Sequence, residues 1–116
     1  MAPNDKLFIE QRLKQASGHI GGLLELCSGR QKFSPGGKEQ VRHEYDSLKS
    51  SLRALAIHAF ESEEGRRFSE YSGQGIATHL SAKTNDSPAE FASTLREAAA
   101  EVSYRLDRLS KWNVAV

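Results

Sequence analysis

The sequence has one cysteine and no long run of apolar residues. Its 116 residues include a single cysteine, Cys27, so an internal disulfide cannot form. A reducing compartment, most simply the cytoplasm, is therefore expected. No run reaches the roughly 18 apolar residues that a membrane-spanning helix needs. The first eleven residues also lack the apolar core of a signal peptide.

Neither sign of charge dominates. Lys plus Arg number 16 and Asp plus Glu number 15, which gives a formal net charge of +1. This balance argues against a protein whose whole surface binds nucleic acid or membrane. The length predicts one domain over residues 1–116, large enough to fold without disulfides or a metal. No cofactor is expected.

Apolar side chains recur at alternating spacings of three and four, the pattern of helices that pack at a shallow angle. They predict helices over about 5–28, 39–63 and 88–112, and hence an all-α bundle. The three stripes are Ile9, Leu13, Ala16, Ile20, Leu23 and Cys27; Val41, Tyr45, Leu48, Leu52, Leu55 and Ala59; and Phe91, Leu95, Ala98, Val102, Leu106 and Leu109.

Local signals mark the ends of these helices. Asn4 is expected to cap the first helix after Pro3, and Gly29 to end it. Ser87 and Pro88 predict the start of the last helix.

Residues 64–86 are the least regular part of the sequence and are predicted to be mobile, with short helical segments at most. The second helix is apolar almost all round its last two turns, which include Ile57 and Phe60. Either a short helical segment in 64–86 or a second subunit must cover it. We expect at least a dimer, with a mass in solution above the 12.8 kDa of one chain.

Three glycines, Gly18, Gly21 and Gly22, interrupt the first helix within about one turn. Each costs about 1 kcal/mol relative to alanine inside a helix. They leave one side of the helix bare, which predicts a close helix crossing within the fold. A crossing between subunits and a binding site at the bare patch are the alternatives. Together with Ile57 and Phe60, these residues are the predicted helix–helix association site.

The residues capable of chemistry form no recognisable catalytic or metal-binding pattern. His19, His43, His58 and His79 lack the spacing of metal ligands on one helix, so no metal site is predicted. Cys27 lies on an apolar stripe and is expected to be a small core residue. One basic cluster stands out, with a single acid, Glu39, among its residues. Its members, the predicted anion or nucleic-acid contacts, are Arg30, Lys32, Lys38 and Arg42.

The stretch "RALAIH" resembles the Arg–four-to-six–His motif of HEPN-type ribonucleases, with Arg53 and His58 as the matching pair. These enzymes are small, helical and usually dimeric, and the resemblance implies that the pair would converge on RNA phosphate across a dimer interface. Ala54 stands where the family commonly has a polar residue.

The stretch "RLKQASGHIGGLLEL", residues 12–26, resembles the first helix of the CsoR/RcnR family of bacterial repressors. Residues 47–60 are loosely similar to the family's second helix. The resemblance implies a helical dimer or tetramer that binds DNA. The family's sensing cysteines have no counterpart, because Phe33 and Ser62 stand near those positions. The residues that match the pattern of the family's first helix are Arg12, Leu13, Lys14, Gly18, His19 and Gly22.

These observations favour a non-enzymatic helical module for protein interaction or regulation, which associates with itself or with a partner protein. The alternatives are a CsoR-like DNA-binding regulator without the usual sensing site, and a ribonuclease using Arg53 and His58.

Overall fold

A computed structural model describes residues 1–80 and 87–114, which form an all-α bundle. The predicted fold class is confirmed. Helix α1 packs against α2 and α4, and α3 closes the ring by packing between α2 and α4. The helices are α1 (Pro3–Cys27), α2 (Pro35–Ile57), α3 (Glu63–His79) and α4 (Pro88–Ser110).

Successive helices run in opposite directions, as in an up-down-up-down bundle. The amino terminus of Met1 donates a hydrogen bond to the carbonyl of Asn113 at 3.4 Å, which brings the start of α1 to the end of α4. The backbone N–H of Ala2 donates to Ser62 Oγ at 3.2 Å, in the connection from α2 to α3. The start of α1, the α2–α3 connection and the end of α4 therefore meet at one end of the molecule.

The predicted stripes form most of the core, and Ile76 of α3 joins them. Burying a side chain of this size contributes about 1.5–3 kcal/mol relative to leaving it exposed. The fully buried apolar side chains include Ile9, Leu13, Ile20, Leu23, Leu48, Leu55, Ile76, Leu95, Val102 and Leu109.

Helix α1 begins one residue before the predicted cap. Ala2 is its N-cap and Pro3 its first residue, a position that proline favours because its fixed φ suits the first turn. Asn4 does not cap the helix; its Nδ2 donates to Glu61 Oε1 at 3.2 Å. The predicted stop at Gly29 is confirmed, because Gly29 has a φ of 68° just beyond the helix end.

Helix α2 spans 35–57 rather than the predicted 39–63. Ser34 caps it by accepting the N–H of Gly37 at 3.0 Å, and Pro35 takes the first position. The same Ser–Pro pair begins α4, where the predicted start at Ser87 and Pro88 is confirmed.

The expectation of an irregular segment after residue 63 is wrong, because 63–79 form the continuous helix α3. Ser62 caps it by accepting the N–H of Gly65 at 3.1 Å. Glu63 in the first turn pairs with Arg66 and with Arg67, and such pairs one turn apart support a helix. This helix is the fourth layer of the bundle, so the prediction that a helical segment within 64–86 completes the bundle is confirmed, although the helix is longer and more regular than expected. The remainder of the predicted segment, 81–86, lies outside the described residues.

The glycines of α1 do not form the predicted close crossing within the fold. A Cβ atom added to Gly18 or Gly21 would meet no other atom within 4 Å. At Gly22 it would meet the carboxylate of Glu44 at 3.0 Å, the far end of a flexible side chain. The outer side of α1 therefore faces solvent at Gly18 and Gly21. Association of this side with another subunit stays a prediction.

Three glycines of α3 face neighbouring helices instead, and one of them, Gly75, would place a Cβ 2.6 Å from Glu101 Oε1 of α4. A Cβ on Gly65 would lie 2.5 Å from Asp5 Oδ2, inside the contact distance of the two atoms. A Cβ on Gly73 would lie 3.5 Å from the carbonyl oxygen of Leu52, in ordinary contact. Helix α3 thus approaches α1 and α2 most closely where it has no side chain.

Asp5, only 1% exposed, ties the first turn of α1 to the start of α3. Its carboxylate accepts the N–H of Glu61 at 2.9 Å, the N–H of Ser62 at 2.8 Å and the Ser62 hydroxyl at 2.6 Å. Burial acts to raise the pKa of Asp5, but these hydrogen bonds outweigh it and lower the pKa below its usual value.

We predict that Asp5→Asn lowers the free energy of unfolding by about 1–3 kcal/mol near neutral pH, because an amide cannot accept all three donors. The folded state holds the pKa of Asp5 below that of the unfolded chain. The contribution of Asp5 to the free energy of unfolding is therefore fully present above its pKa in the unfolded chain, about 3.9, and is lost as the pH falls through its pKa in the folded protein.

Urea unfolding of both proteins at about pH 7 and about pH 3 checks this expectation, since the difference between them should shrink at the lower pH. The matched control is Asp107→Asn, an exposed carboxylate that pairs with Lys111 at 3.1 Å. It should change stability by less than about 0.5 kcal/mol. Equal losses in the two variants would contradict the role given to Asp5.

A second prediction compares two glycine-to-alanine substitutions inside helices. Gly18→Ala should stabilise the protein by about 0.5–1 kcal/mol, because alanine is the better helix former and the added methyl meets nothing. Gly65→Ala should destabilise it by about 1–3 kcal/mol, because the hydrogen-bonded Asp5 carboxylate must move. Thermal melts give both signs, and a Gly65→Ala variant as stable as the parent would refute the close contact.

Candidate protein-interaction groove

An open groove of about 590 Å³ follows the seam between α2 and α3. One row of its lining lies on each helix, and both rows have the spacing i, i+3, i+4, i+7 that places residues on one helix face. The α2 row is Lys49, Leu52, Arg53 and Ala56, and the α3 row is Glu70, Gly73, Gln74 and Ala77.

The floor of this α2–α3 groove is made of small or apolar residues. Leu52 is 7% exposed and supplies the largest apolar side chain. Ala56, Gly73 and Ala77 carry a methyl group or none, so nothing fills the space above the seam. A helix from another molecule can therefore come close to the backbones of α2 and α3 here.

The rim of the groove carries uncompensated positive charge. Arg53 makes no hydrogen bond or ion pair with any residue that the structure describes. The Nζ of Lys49 lies 3.9 Å from Asp46, at the limit of an ion pair. On the opposite rim, Glu70 already accepts Arg66 at 2.9 Å. The charge left for a partner is thus mainly that of Arg53 and Lys49.

The two apolar residues predicted to mediate association differ in exposure. Ile57, at the end of α2 next to Ala56, is 75% exposed. Phe60 is half-buried and packs edge-on against Phe8, with ring centroids 5.8 Å apart. Of these two residues, Ile57 is the one that offers a large apolar surface to another molecule.

The predicted ribonuclease pair lies in two different environments. Arg53 lines the α2–α3 groove, whereas the His58 ring stacks on Phe8 of α1 with centroids 3.6 Å apart. Five residues of helix separate the two positions by about 140°, so they point to different sides of α2. One chain alone does not bring them together, and convergence across a dimer stays a prediction.

The four basic residues predicted as a cluster around the α1–α2 connection do not come together at one site. All four side chains are exposed. Arg42 is paired with Glu39, one turn earlier in α2, and Arg30 lines a separate groove that Arg96 also lines.

Three of the four histidines lie beside carboxylates. His19 Nδ1 is 2.9 Å from Glu44 Oε1 between α1 and α2. His43 Nε2 is 3.4 Å from Glu39, and His79 Nδ1 is 3.7 Å from Glu97. Over residues 1–80 and 87–114, no three His, Cys, Asp or Glu side chains group closely enough to hold a metal ion.

Cys27 is 5% exposed and belongs to the core, as predicted. Burial raises the pKa of its thiol, while the positive charge of Arg96 acts in the opposite direction. A buried thiol with a raised pKa is a poor nucleophile at neutral pH.

The residues that carry the CsoR/RcnR resemblance have partners within the bundle. The guanidinium of Arg12 lies 5.0 Å from the centroid of the Phe8 ring, and Lys14 pairs with Glu10 at 2.8 Å. His19 meets Glu44 as described. These contacts are local to α1 and its crossing with α2.

No protein-family model, curated protein or solved structure matches this chain. The CsoR/RcnR and HEPN resemblances therefore stay predictions. Among the described helices, none has a stretch long and apolar enough to cross a membrane.

Proposed function

We propose that the protein is a non-enzymatic helical module that regulates or assembles other proteins by binding an amphipathic helix of a partner in the α2–α3 groove. The observation that carries this proposal is the pair of lining rows. Each row has the i, i+3, i+4, i+7 spacing, and both face the same opening.

Helices pack by inserting the side chains of one into the gaps between the side chains of its neighbours. Two parallel rows with a floor of Leu52, Ala56, Gly73 and Ala77 offer such gaps. An amphipathic helix with leucine or methionine at the matching spacing would bury its apolar face there. Ile57, close to one end of the groove, extends the apolar contact.

The positive charge at the rim of the groove favours acidic partner helices over basic ones. Arg53 has no hydrogen bond or ion pair among the described residues, and Lys49 has a 3.9 Å ion pair with Asp46 and lies 5.0 Å from the centroid of the Tyr45 ring. Acidic residues that flank the apolar stripe of the incoming helix would satisfy both. Opposite charges on the rim of an interface raise the association rate and reject basic helices.

A second copy of this chain is the other occupant to test. The core needs no second copy for closure, because α3 packs on α2 and buries Leu52 and Leu55. The groove and Ile57 nevertheless remain open. Light scattering at high micromolar concentration separates a 12.8 kDa monomer from the expected dimer.

The prediction is tested with two designed helical peptides that have the same leucine stripe, one flanked by glutamates and the other by lysines. The glutamate peptide should bind and shift the amide resonances of residues 49–56 and 70–77. Arg53→Glu should weaken that binding at least tenfold, or by about 1.4 kcal/mol. The lysine peptide should bind the parent weakly and the variant more strongly.

The matched control is Arg108→Glu, an exposed arginine on α4 that makes no ion pair among the described residues. It should leave the affinity for the glutamate peptide unchanged. Shifts confined to other helices, or equal effects of the two variants, would reject the α2–α3 groove as the binding site. Loss of an existing dimer in Arg53→Glu would identify a second copy as the occupant.

A further inference from the structure

A second groove, of about 410 Å³, lies at the opposite end and side of the bundle, between the end of α1 and the start of α4. It shares no residue with the α2–α3 groove and does not depend on the function proposed for that groove. Its lining residues used below are Leu24, Cys27, Arg30, Ala92 and Arg96.

Two arginines that are far apart in the sequence line this α1–α4 groove together. Arg30 comes from the α1–α2 connection and Arg96 from the third turn of α4. Neither makes a hydrogen bond or ion pair with any residue in the described parts of the chain. Nη1 of Arg30 lies 4.0 Å from the position of a Cβ on Gly37, so Arg30 borders the groove from the side of the first turn of α2, and Arg96 borders it from α4. Their planar forks match the oxygens of carboxylate and phosphate.

The inner wall of the groove is apolar. Leu24 is half-buried, Cys27 is 5% exposed and Ala92 is 9% exposed. Arg96 lines the same groove as Cys27 and Ala92. The groove therefore combines a cationic edge with an apolar surface. Its volume falls within the range of about 300–1,000 Å³ typical of small-molecule sites.

We propose that the α1–α4 groove binds a small amphipathic oxyanion, whose carboxylate or phosphate head pairs with Arg30 and Arg96 and whose apolar tail lies on Leu24, Cys27 and Ala92. The head supplies the missing counter-charge for both guanidiniums. The tail removes apolar wall from water, which adds affinity in proportion to the area covered. A purely inorganic anion satisfies only the first half of the site, and a neutral alcohol only the second.

The test titrates the full chain with octanoate, octyl phosphate, inorganic phosphate and octanol, followed by calorimetry and by the amide resonances of Gly29, Ala89 and Ala92. At least one of octanoate and octyl phosphate should bind at least tenfold more tightly than inorganic phosphate and octanol. The tighter of the two identifies the head group. Arg96→Gln should weaken that binding at least tenfold, and Arg30→Gln should act in the same direction.

The matched control is Arg108→Gln, which removes an exposed arginine of α4 that lines neither groove and should leave the binding unchanged. Thermal melts confirm that the exposed arginine variants remain folded. Equal affinity for inorganic phosphate and octyl phosphate would overturn the apolar half of the site. Equal affinity for octanol and octanoate, binding unaffected by Arg96→Gln, or no binding by either amphiphile would overturn the proposal.

Discussion

The buried carboxylate of Asp5 is the contact on which the arrangement of the helices depends. It belongs to the first turn of α1 and accepts three hydrogen bonds from Glu61 and Ser62. Ser62 in turn accepts the N–H of Gly65 and so caps α3. A carboxylate out of water is stable only when its acceptors are used. The start of α3 is therefore held at one position on α1, and Gly65 is required there because a methyl group would enter the space of the carboxylate.

The α2–α3 groove is a consequence of the placement of α3. Ser69, which is fully buried, donates its hydroxyl hydrogen to the carbonyl of Leu55 at 2.6 Å and fixes α3 against α2. Gly73 allows the two backbones to stay close four residues later. The Ser69–Leu55 hydrogen bond and the contact at Gly73 hold α2 and α3 together on their buried sides. The residues on the solvent side of the seam, Ala56 and Ala77, are small, so the groove stays open. A groove whose walls are already ordered loses little conformational entropy on binding.

The apolar stripes in the sequence predicted α1, α2 and α4. They did not predict α3, whose buried face has no regular apolar stripe. Helices α1, α2 and α4 bury leucine and isoleucine at regular spacing, a pattern that is visible in one dimension. The buried face of α3 is built largely from Gly65, Ser69, Ser72 and Gly73, which are read in a sequence as loop residues. Asp5 adjoins Gly65, and the Leu55 carbonyl accepts the Ser69 hydroxyl. Both of these partners lie elsewhere in the chain. Ser62 followed by two glutamates was the one local signal of α3. The groove could not be predicted, since one of its walls is α3.

The two proposed binding sites lie on seams that have no helix in common, α2–α3 and α1–α4. The molecule measures 51 × 22 × 18 Å, so sites toward opposite ends of opposite faces have no direct contact. Any influence of one site on the other must pass through the core that all four helices share. An occupant of either groove stabilises the folded bundle by mass action. For one ligand to change the affinity of the other beyond this stabilisation, the helices would need a second packing arrangement, and each ligand would have to bind the two arrangements with different affinity.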